Sequence, residues 1–454
     1  MKHKHVFSYL LLCLISASAP IVSHMLPAQA LEPTVKSLSP TSPEEALSET
    51  NRLSRQAIEL YQQGYYAEAV PLVEQVLMLE ESVYGERHPE VANTLSNLAL
   101  LYQEQGLYSE ARPYSQRALG IRIELLGRRH PDTAYSFDSL AGIDKNLGRY
   151  TSARSLYEQA IVAYEELYQE AEGEDASYVG LATSLNNLAG LHKNQGNYTA
   201  ARTLYERTLA LYETTLGPEH LSIATGLNNL ADLDRIEGNY EAALSGYILA
   251  LNIRDARLDE FHPSIANSLN NIAALHQARE DYGSALPLYE RALSIRETTL
   301  GPEHPDVAAS LNNLAEVYRI QEDYGTALRL HERALAIWKE TRGETHPDVA
   351  TSLNNLAEVH RGLTEYEKAL QLHEQALAIR ETSLGEEHPA VGASLNNVAG
   401  VYQAMGDRES AVLFYQRALD VMQAALGEAH PDVVTIASNL AGIEASTTIE
   451  LDGF

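Results

Sequence analysis

Histidine recurs at a regular interval along the chain and is the first residue type whose chemistry has to be decided. Eight histidines share one position, seven before a proline and one before Leu221: His88, His130, His220, His262, His304, His346, His388 and His430. A metal centre needs three or four ligands that converge within about 2 to 2.2 Å of one ion. One histidine per 42 residues places most successive rings on separate connectors. We therefore predict that these histidines cap helices and bind no metal.

Other catalytic and cofactor-binding motifs are missing from the sequence. Two His-Glu pairs, at His331 and His373, lack the second histidine that a zinc-binding helix carries four residues further on. The sequence has no G-x-S-x-G elbow, no Walker-type loop and no paired-glycine dinucleotide fingerprint. We therefore predict that the protein is not an enzyme and takes no cofactor, with an unrecognised enzyme as the remote alternative.

Paired asparagines recur with the same period and are the strongest candidates for binding. The pairs are Asn186 and Asn187, Asn228 and Asn229, Asn270 and Asn271, Asn312 and Asn313, Asn354 and Asn355, and Asn396 and Asn397. An asparagine amide offers donors and an acceptor, so a row of them can bond the backbone of an extended peptide whatever its side chains. The alternative is that these amides bond to neighbouring repeats.

A row of basic residues follows the asparagines by one or two helical turns. Its members are Lys145, Lys193, Arg235, Arg319 and Arg361. In a chain with a formal net charge of −29, such a row could attract the acidic groups of a partner protein. The alternative is that these cations offset acids on the same helix face. The overall negative charge itself argues against nucleic acid as a partner.

Both sets of residues lie on a repeat that must position them. The segment SLNNLA appears at Ser184, Ser310 and Ser352, and close variants begin at Gly226, Ser268 and Ser394. The spacing is 42 residues, apart from one interval of 48 between Ser139 and Asn187. The register continues upstream to Arg55 and downstream to Asn439, which predicts nine full units and a final half-unit.

Each unit has the pattern of two helices. Around Asn313, apolar residues follow the spacing of one helical stripe: Leu311, Leu314, Ala315 and Tyr318. A second stripe starts at about Tyr324, after a polar break too short for anything but an antiparallel hairpin. In the next connector, Gly343 can end the second helix and Pro347 suits the first turn of the following one.

These residues resemble the tetratricopeptide repeat, over about residues 46 to 446. Its pattern is met in this unit by Leu311, Leu314, Ala315, Tyr318, Tyr324, Ala327, His331 and Ala334. The 42-residue form, with its His-Pro connector, is similar to the repeats of kinesin light chains and their bacterial relatives. The resemblance implies an all-α, right-handed α-solenoid whose first helices line a concave groove. It also implies that the second asparagine binds peptide backbone or a terminal carboxylate.

The N-terminus has the features of a secretory signal. Lys2 and Lys4 precede an apolar run, and Ala28-Gln29-Ala30 has the form of a signal-peptidase site. The sole cysteine, Cys13, lies in the segment to be removed. No later stretch is apolar enough for a membrane helix. We therefore expect a bacterial exported protein, periplasmic or secreted, that is not inserted in the membrane after signal removal.

The expected organisation divides the chain into six regions. They are a signal peptide (1–30), a flexible lead-in (31–45), nine repeats (46–432), an acidic insertion near 169–177 within them, a capping helix (433–446) and a loose tail (447–454). The leading hypothesis is a protein-interaction scaffold whose concave groove binds an extended segment of an unidentified protein or peptide. The alternative is a structural solenoid that self-associates while its groove stays empty.

Overall fold

The computed structural model describes residues 42–170 and 177–451, and every regular element in those ranges is an α-helix. Two compact bodies are distinguished. The N-terminal body contains α1 (Pro43–Gln62), α2 (Tyr66–Tyr84), α3 (Pro89–Glu104) and, from Glu110 onward, α4 (Tyr108–Leu126). The C-terminal body contains α5 (Pro131–Asn146), α6 (Tyr150–Glu170), α7 (Ser177–Asn194), α8 (Tyr198–Leu216), α9 (Leu221–Ile236), α10 (Tyr240–Asp255), α11 (Pro263–Ala278), α12 (Tyr282–Leu300), α13 (Pro305–Ile320), α14 (Tyr324–Arg342), α15 (Pro347–Gly362), α16 (Tyr366–Leu384), α17 (Pro389–Met405), α18 (Arg408–Leu426) and α19 (Pro431–Leu451). The predicted all-α fold of tandem helix hairpins is confirmed.

The ends of the helical region differ from the expected boundaries. Helix α1 begins at Pro43, inside the expected lead-in, because the Ser42 hydroxyl accepts the backbone N–H of Glu45 at 3.2 Å. Helix α19 continues to Leu451, beyond the expected end at 446, since neither glycine nor proline follows Gly442 within it. The signal peptide, the lead-in up to residue 41, and residues 171–176 of the acidic insertion lie outside the described residues.

The recurrent histidines cap the first helices, as the sequence predicts. In each, the ring Nδ1 accepts the backbone N–H of the residue two positions ahead, over 3.0 to 3.2 Å. An accepting Nδ1 carries no proton, so in each cap the ring proton lies on Nε2. Burial lowers the pKa of His346 and of His388 to about 4. Those two caps therefore persist through mildly acidic pH.

Small residues let the helices of each hairpin approach closely. In the N-terminal body, Leu95 and Leu98 of α3 are fully buried and pack in one cluster with Ala69 of α2 and Ala118 of α4. In the C-terminal body, Leu311 of α13 is fully buried in the same kind of cluster. Replacing one of these leucines with alanine removes about 2 to 5 kcal/mol of stability in typical cores. The apolar faces thereby fix the helices whose opposite faces carry the polar residues.

The C-terminal body also contacts itself over long sequence distances. The turn between α5 and α6 meets the connector before α17, where a Cβ on Gly148 would lie 3.1 Å from His388 Cδ2 and 3.3 Å from Pro389 Cδ. The His388 ring hydrogen-bonds the backbone of Asn146 at the same place. Gly196 meets His430 in the same way, with a Cβ position 3.4 Å from the ring. The third hairpin (α5 and α6) therefore contacts the start of the ninth (α17 and α18).

Candidate functional site

The first asparagine of each pair bonds to the protein itself. Asn312 Nδ2 donates to Ser352 Oγ on the next first helix at 3.2 Å, and His331 Nδ1 lies 2.8 Å from Asn312 Oδ1. Asn354 repeats the arrangement with Ser394 at 3.5 Å and His373 at 2.7 Å. These two amides therefore join one hairpin to the next, and both their oxygen and their nitrogen already have a partner in the protein.

Arginines take the place of histidine beside two other first asparagines. With its amide oxygen directed at the guanidinium, Asn228 accepts from Arg254 Nη1 at 2.6 Å, and Asn270 accepts from Arg296 Nη1 at 2.8 Å. The same Arg254 donates to Ser268 on the next first helix at 2.5 Å. Both asparagines are buried, so they stabilise the junctions between repeats.

The two remaining first asparagines are also engaged. Asn186 accepts from Asn229 Nδ2 at 2.6 Å, and Asn396 accepts from Asn439 Nδ2 at 3.3 Å. All six first asparagines thus have a partner within the chain. Four of them bond to a neighbouring repeat, as the alternative has it, while Asn228 and Asn270 bond to an arginine of their own repeat.

The second asparagines differ from the first in being available. Within the described residues, five of them make no side-chain hydrogen bond: Asn187, Asn271, Asn313, Asn355 and Asn397. All five are at least partly exposed. Asn229 is the exception, because it donates to Asn186. The free amides on α7, α11, α13, α15 and α17 form a row interrupted at α9, which we call the amide ladder.

The cations near the middle of the predicted basic row are paired with acids. Lys193 Nζ lies 2.7 Å from Asp232 Oδ2, and Arg235 Nη2 lies 2.6 Å from Asp232 Oδ1. Burial alone would raise the pKa of Asp232, but Lys193 and Arg235 hold it below its ordinary value. One carboxylate therefore serves two cations, and a net positive charge remains.

Further along, each arginine is neutralised by the acid three residues before it. Arg319 donates to Glu316 at 2.7 Å, and Arg361 donates to Glu358 at 2.6 Å. Burial opposes the ionisation of Glu358, but contacts with His373 and Arg361 lower its pKa to about 2. This part of the basic row is locally neutral, so it gives little attraction to a partner's acids.

Lys145 is the member of the basic row without an ion pair in the described part of the chain. Glycine, at Gly142, occupies the position three residues earlier where α9, α13 and α15 carry an acid. Burial and the nearby charge of Lys193 lower the pKa of Lys145. The basic row therefore has unequal members: Lys145 of α5 has no acid, and Lys193 of α7 shares one with Arg235 of α9.

Comparison with known proteins identifies the repeat. A family model of the tetratricopeptide repeat matches residues 53–124, 90–166, 180–256, 222–298, 264–340, 306–382, 348–424 and 390–447. The chain belongs to the tetratricopeptide repeat family. No curated protein is significantly similar to it.

Solved structures with similar folds include three tetratricopeptide-like proteins. A Rap protein, solved in complex with competence and sporulation factor, is 15% identical, with a TM-score of 0.52 over 85% of this chain and 99% of its own. BtubC from P. vanneervenii is 25% identical, with a TM-score of 0.40 over 53% of this chain and 93% of its own. A kinesin light chain-like repeat protein from Podosopora anserina is 29% identical, with a TM-score of 0.38 over 45% and 98%.

In the seven tetratricopeptide units of the C-terminal body, the second helix places a ring beneath the first, a role that the sequence reasoning missed. In the C-terminal body the rings are Tyr157, Tyr205, Tyr247, Tyr289, His331, His373 and Tyr415, all nearly or fully buried. Tyr289 donates its hydroxyl to Gln277 at 3.0 Å, and Tyr415 donates to Gln403 at 2.9 Å. The fixed separation of 19 residues between asparagine and ring was the signal that could have revealed this layer.

His331 shows how such a ring is fixed in one protonation state. Because Asn312 Nδ2 donates to Ser352, its Oδ1 faces the ring, and His331 Nδ1 must carry the proton. Burial and the charge of Arg319 lower the pKa of His331 to about 4. The imidazole is therefore neutral near pH 7 and acts as a structural donor.

Other features of the tetratricopeptide chain give no comparable site. A shallow cleft of about 360 Å³ is lined by Arg128, Arg129, Phe137 and Glu166, and an Arg129–Glu166 ion pair of 2.7 Å lies within it. Residues 42–170 and 177–443 contain no group of three or more potential metal ligands. Among the described helices, none is long and apolar enough to span a bilayer.

Proposed function

We propose that this chain is a non-catalytic interaction scaffold that binds an extended segment of another protein along the amide ladder. Tandem helix pairs build long concave surfaces that suit such segments. The observation that carries the proposal is the set of five free amides on α7, α11, α13, α15 and α17, beside first asparagines that are all engaged. A free amide can both accept from and donate to a peptide bond.

The first asparagine of each pair is bonded within the protein, and this bonding makes the surface that carries the second asparagines rigid. First asparagines, through His331, His373 and the buried arginines, hold the hairpins at fixed spacing. The second asparagines then offer their amides from a framework that need not rearrange. Preorganisation of this kind reduces the entropic cost of binding an extended chain.

The test replaces three asparagines of the amide ladder and leaves the first asparagines, which stabilise the junctions between repeats, unchanged. Peptides selected from a random displayed library by the immobilised protein serve as the probe, and fluorescence anisotropy measures their affinity. We expect Asn271→Ala, Asn313→Ala and Asn355→Ala together to weaken binding at least tenfold, since each lost hydrogen bond contributes about 0.5 to 1.5 kcal/mol.

A matched variant controls for the general loss of amides. Asn252, Gln371 and Gln375 are exposed and lie on second helices, so their triple alanine variant should bind the peptides as the unchanged protein does. Equal affinity of both triple variants, with equal helicity by circular dichroism, would contradict the proposal. Concentration-dependent light scattering in the absence of peptide would favour the self-associating solenoid instead.

We further propose that the chain is exported, from the basic and apolar residues before Ala30 and the small residues at Ala28 and Ala30. N-terminal sequencing of the protein from the exported fraction of a bacterial host should begin at Leu31. A cytoplasmic product that retains Met1 would contradict this proposal.

A further inference from the structure

The turns inside the hairpins of the C-terminal body meet connectors that lie far along the chain. The turn at Gly148, in the third hairpin, contacts His388 before the ninth. The turn at Gly196, in the fourth hairpin, contacts His430 before α19, so both contacts span the same number of hairpins. A Cβ on either glycine would lie 3.1 to 3.4 Å from the histidine ring. The contact is therefore made by turns that carry no side chain.

The closest of these contacts leaves room for glycine alone. Gly106, in the turn before α4, belongs to the C-terminal body and meets the connector before α15. A Cβ on it would lie 2.6 Å from Pro347 Cδ and 2.9 Å from His346 Cδ2, well inside the usual separation of nonbonded carbon atoms. The turn covers the connector in return, because the His346 side chain is only 7% exposed. A side chain at this turn would push the connector away.

The later turns of the C-terminal body meet no connector within the described residues. At Gly238 and Gly406 nothing lies within 4 Å of a Cβ position. The three turns between them carry exposed side chains at the same position, on Glu280, Glu322 and Thr364. Their φ of 59° to 62° is left-handed, a conformation that glycine adopts at no steric cost and other residues do not. Strain that glycine would relieve is kept here, which indicates that these side chains have a role.

The C-terminal body also has connectors that no turn covers. The side chain of His130, in the connector before α5, is 41% exposed, against 7% at His346 and 9% at His430. His220 and Leu221, in the connector before α9, are exposed as well. One body thus presents both uncovered turns and uncovered connectors, the two halves of a contact that it makes elsewhere within itself.

We propose that the uncovered turns form a docking surface for the uncovered connectors of a second copy, and that Glu280, Glu322 and Thr364 keep this surface closed. A Cβ at three successive turns fills the space that the connector takes at Gly106. Docking would also bury two carboxylates against a connector, which is costly without a charged partner. The inference goes beyond the proposed function, since it concerns a surface outside the amide ladder.

Without these three side chains the contact would be open-ended. Turns and connectors are different surfaces, so two joined copies would still present one free surface of each kind. A head-to-tail contact of this type builds filaments unless its geometry closes a ring. The three side chains thereby hold the protein to single chains, with its turns exposed.

The test replaces the three side chains with glycine and measures mass by sedimentation velocity, without peptide. The unchanged protein should remain a monomer over a wide range of concentration. The triple variant Glu280→Gly, Glu322→Gly and Thr364→Gly should associate over the same range, with its weight-average mass raised at least twofold. Its helicity should be equal and its melting point no lower, because glycine relieves the positive φ.

A matched alanine variant separates the Cβ atoms from the charge. Alanine at the same three positions removes both carboxylates and keeps each Cβ, so this variant should stay monomeric. Equal association of the alanine and glycine variants would overturn the proposal. A glycine variant that stays monomeric, or an unchanged protein that associates, would overturn it as well.

A second set of changes tests the surface of the partner copy. Pro131→Glu and Leu221→Glu lie at exposed first positions of α5 and α9, where a helix accepts an acid. Added to the glycine variant, they should return it to monomers. Ile248→Glu and Leu413→Glu, at exposed positions on second helices, should leave the association unchanged. The opposite result would mean that the copies meet through another surface and would refute the proposal.

Discussion

Helices α5 and α7 differ from helices α13 and α15, although all four present the same repeat. Helices α5 and α7 carry a glycine, Gly142 or Gly190, with a lysine three residues later, and they pack on tyrosine rings. Helices α13 and α15 carry glutamate and arginine at the same two positions, and they pack on histidine rings. In α13 the ion pair closes within one helix, and Arg319 reaches Glu316 at 2.7 Å. In α7 the pair crosses to the next first helix, and Lys193 reaches Asp232 at 2.7 Å.

The comparison shows that the same helical backbone can carry different charges along its first helices. The apolar stripe recurs in both regions, and a His-Pro cap begins α5, α13 and α15. The residues four and seven positions after the first asparagine then decide the local charge independently of the fold. The local charge of the first helices is therefore set by a few side chains per repeat.

The largest effect is expected at Asp138, which in α5 takes the place that Asn312 has in α13. Burial raises the pKa of Asp138 to about 7, against an ordinary 3.8. A raised carboxyl pKa means that the folded chain binds the extra proton, so stability falls as pH rises from about 4 to 7, and the penalty is complete above 7. Asp138→Asn should therefore stabilise the protein at pH 8 by up to about 4 kcal/mol.

Urea denaturation at pH 8 and pH 4 measures this effect. The gain should fall to about 0.5 kcal/mol at pH 4, where the carboxyl is protonated in the folded chain and close to half protonated in the unfolded one. A gain of the same size at both pH values would mean that packing, and not ionisation, distinguishes Asp138 from Asn312.

The next largest effect concerns the rings beneath the two regions. His331→Phe removes the donor 2.8 Å from Asn312 Oδ1 and should cost about 1 to 3 kcal/mol, because a buried acceptor loses its partner. Tyr205→Phe removes a hydroxyl that has no partner in the described residues, so it should change stability by less than about 0.5 kcal/mol. Denaturation midpoints compare the two, and equal losses would contradict a difference between the ring layers.

A smaller effect is expected where α5 reaches a distant repeat. Gly148 and Gly238 occupy the same turn position with φ of +69° and +80°, but only Gly148 has neighbours within 4 Å of a Cβ. Alanine should cost about 1 kcal/mol at either site for its positive φ. Gly148→Ala should lose roughly 1 kcal/mol more, because His388 and Pro389 must move. Equal melting points for the two variants would show that the contact adds no stability.

Much of the fold follows from sequence periodicity, because the period of 42 residues and the two apolar stripes determine the hairpins. The histidine caps also follow, since a histidine before Pro347 stands where a helix must begin. Periodicity does not tell which of two adjacent asparagines faces a neighbour. Asn312 and Asn313 lie about 100° apart on the helix, and only the packing of α14 and α15 against α13 decides between them.

Part of the charge pattern could have been derived from the sequence and part could not. Glu316 precedes Arg319 by three residues, a spacing that places them side by side on a helix. The partner of Lys193 is 39 residues away at Asp232, so it depends on how one hairpin stacks on the next. The uncompensated state of Lys145 likewise appears only once neighbouring helices are in place.

The smallest effect expected is at the ion pair that crosses between α7 and α9. Lys193→Gln leaves Asp232 bonded to Arg235, so no buried carboxylate is stranded. Both members of the pair are about one quarter exposed, at 28% and 25%, and pairs that reach solvent contribute about 0.2 to 1 kcal/mol. We expect a loss of about 0.5 kcal/mol at low salt that disappears near 1 M NaCl, where charges are screened within about 3 Å. Arg319→Gln should cost more stability at low salt, because Glu316 keeps no cation in its own helix. A larger loss for Lys193→Gln than for Arg319→Gln would mean that the ion pair between helices is the stronger of the two.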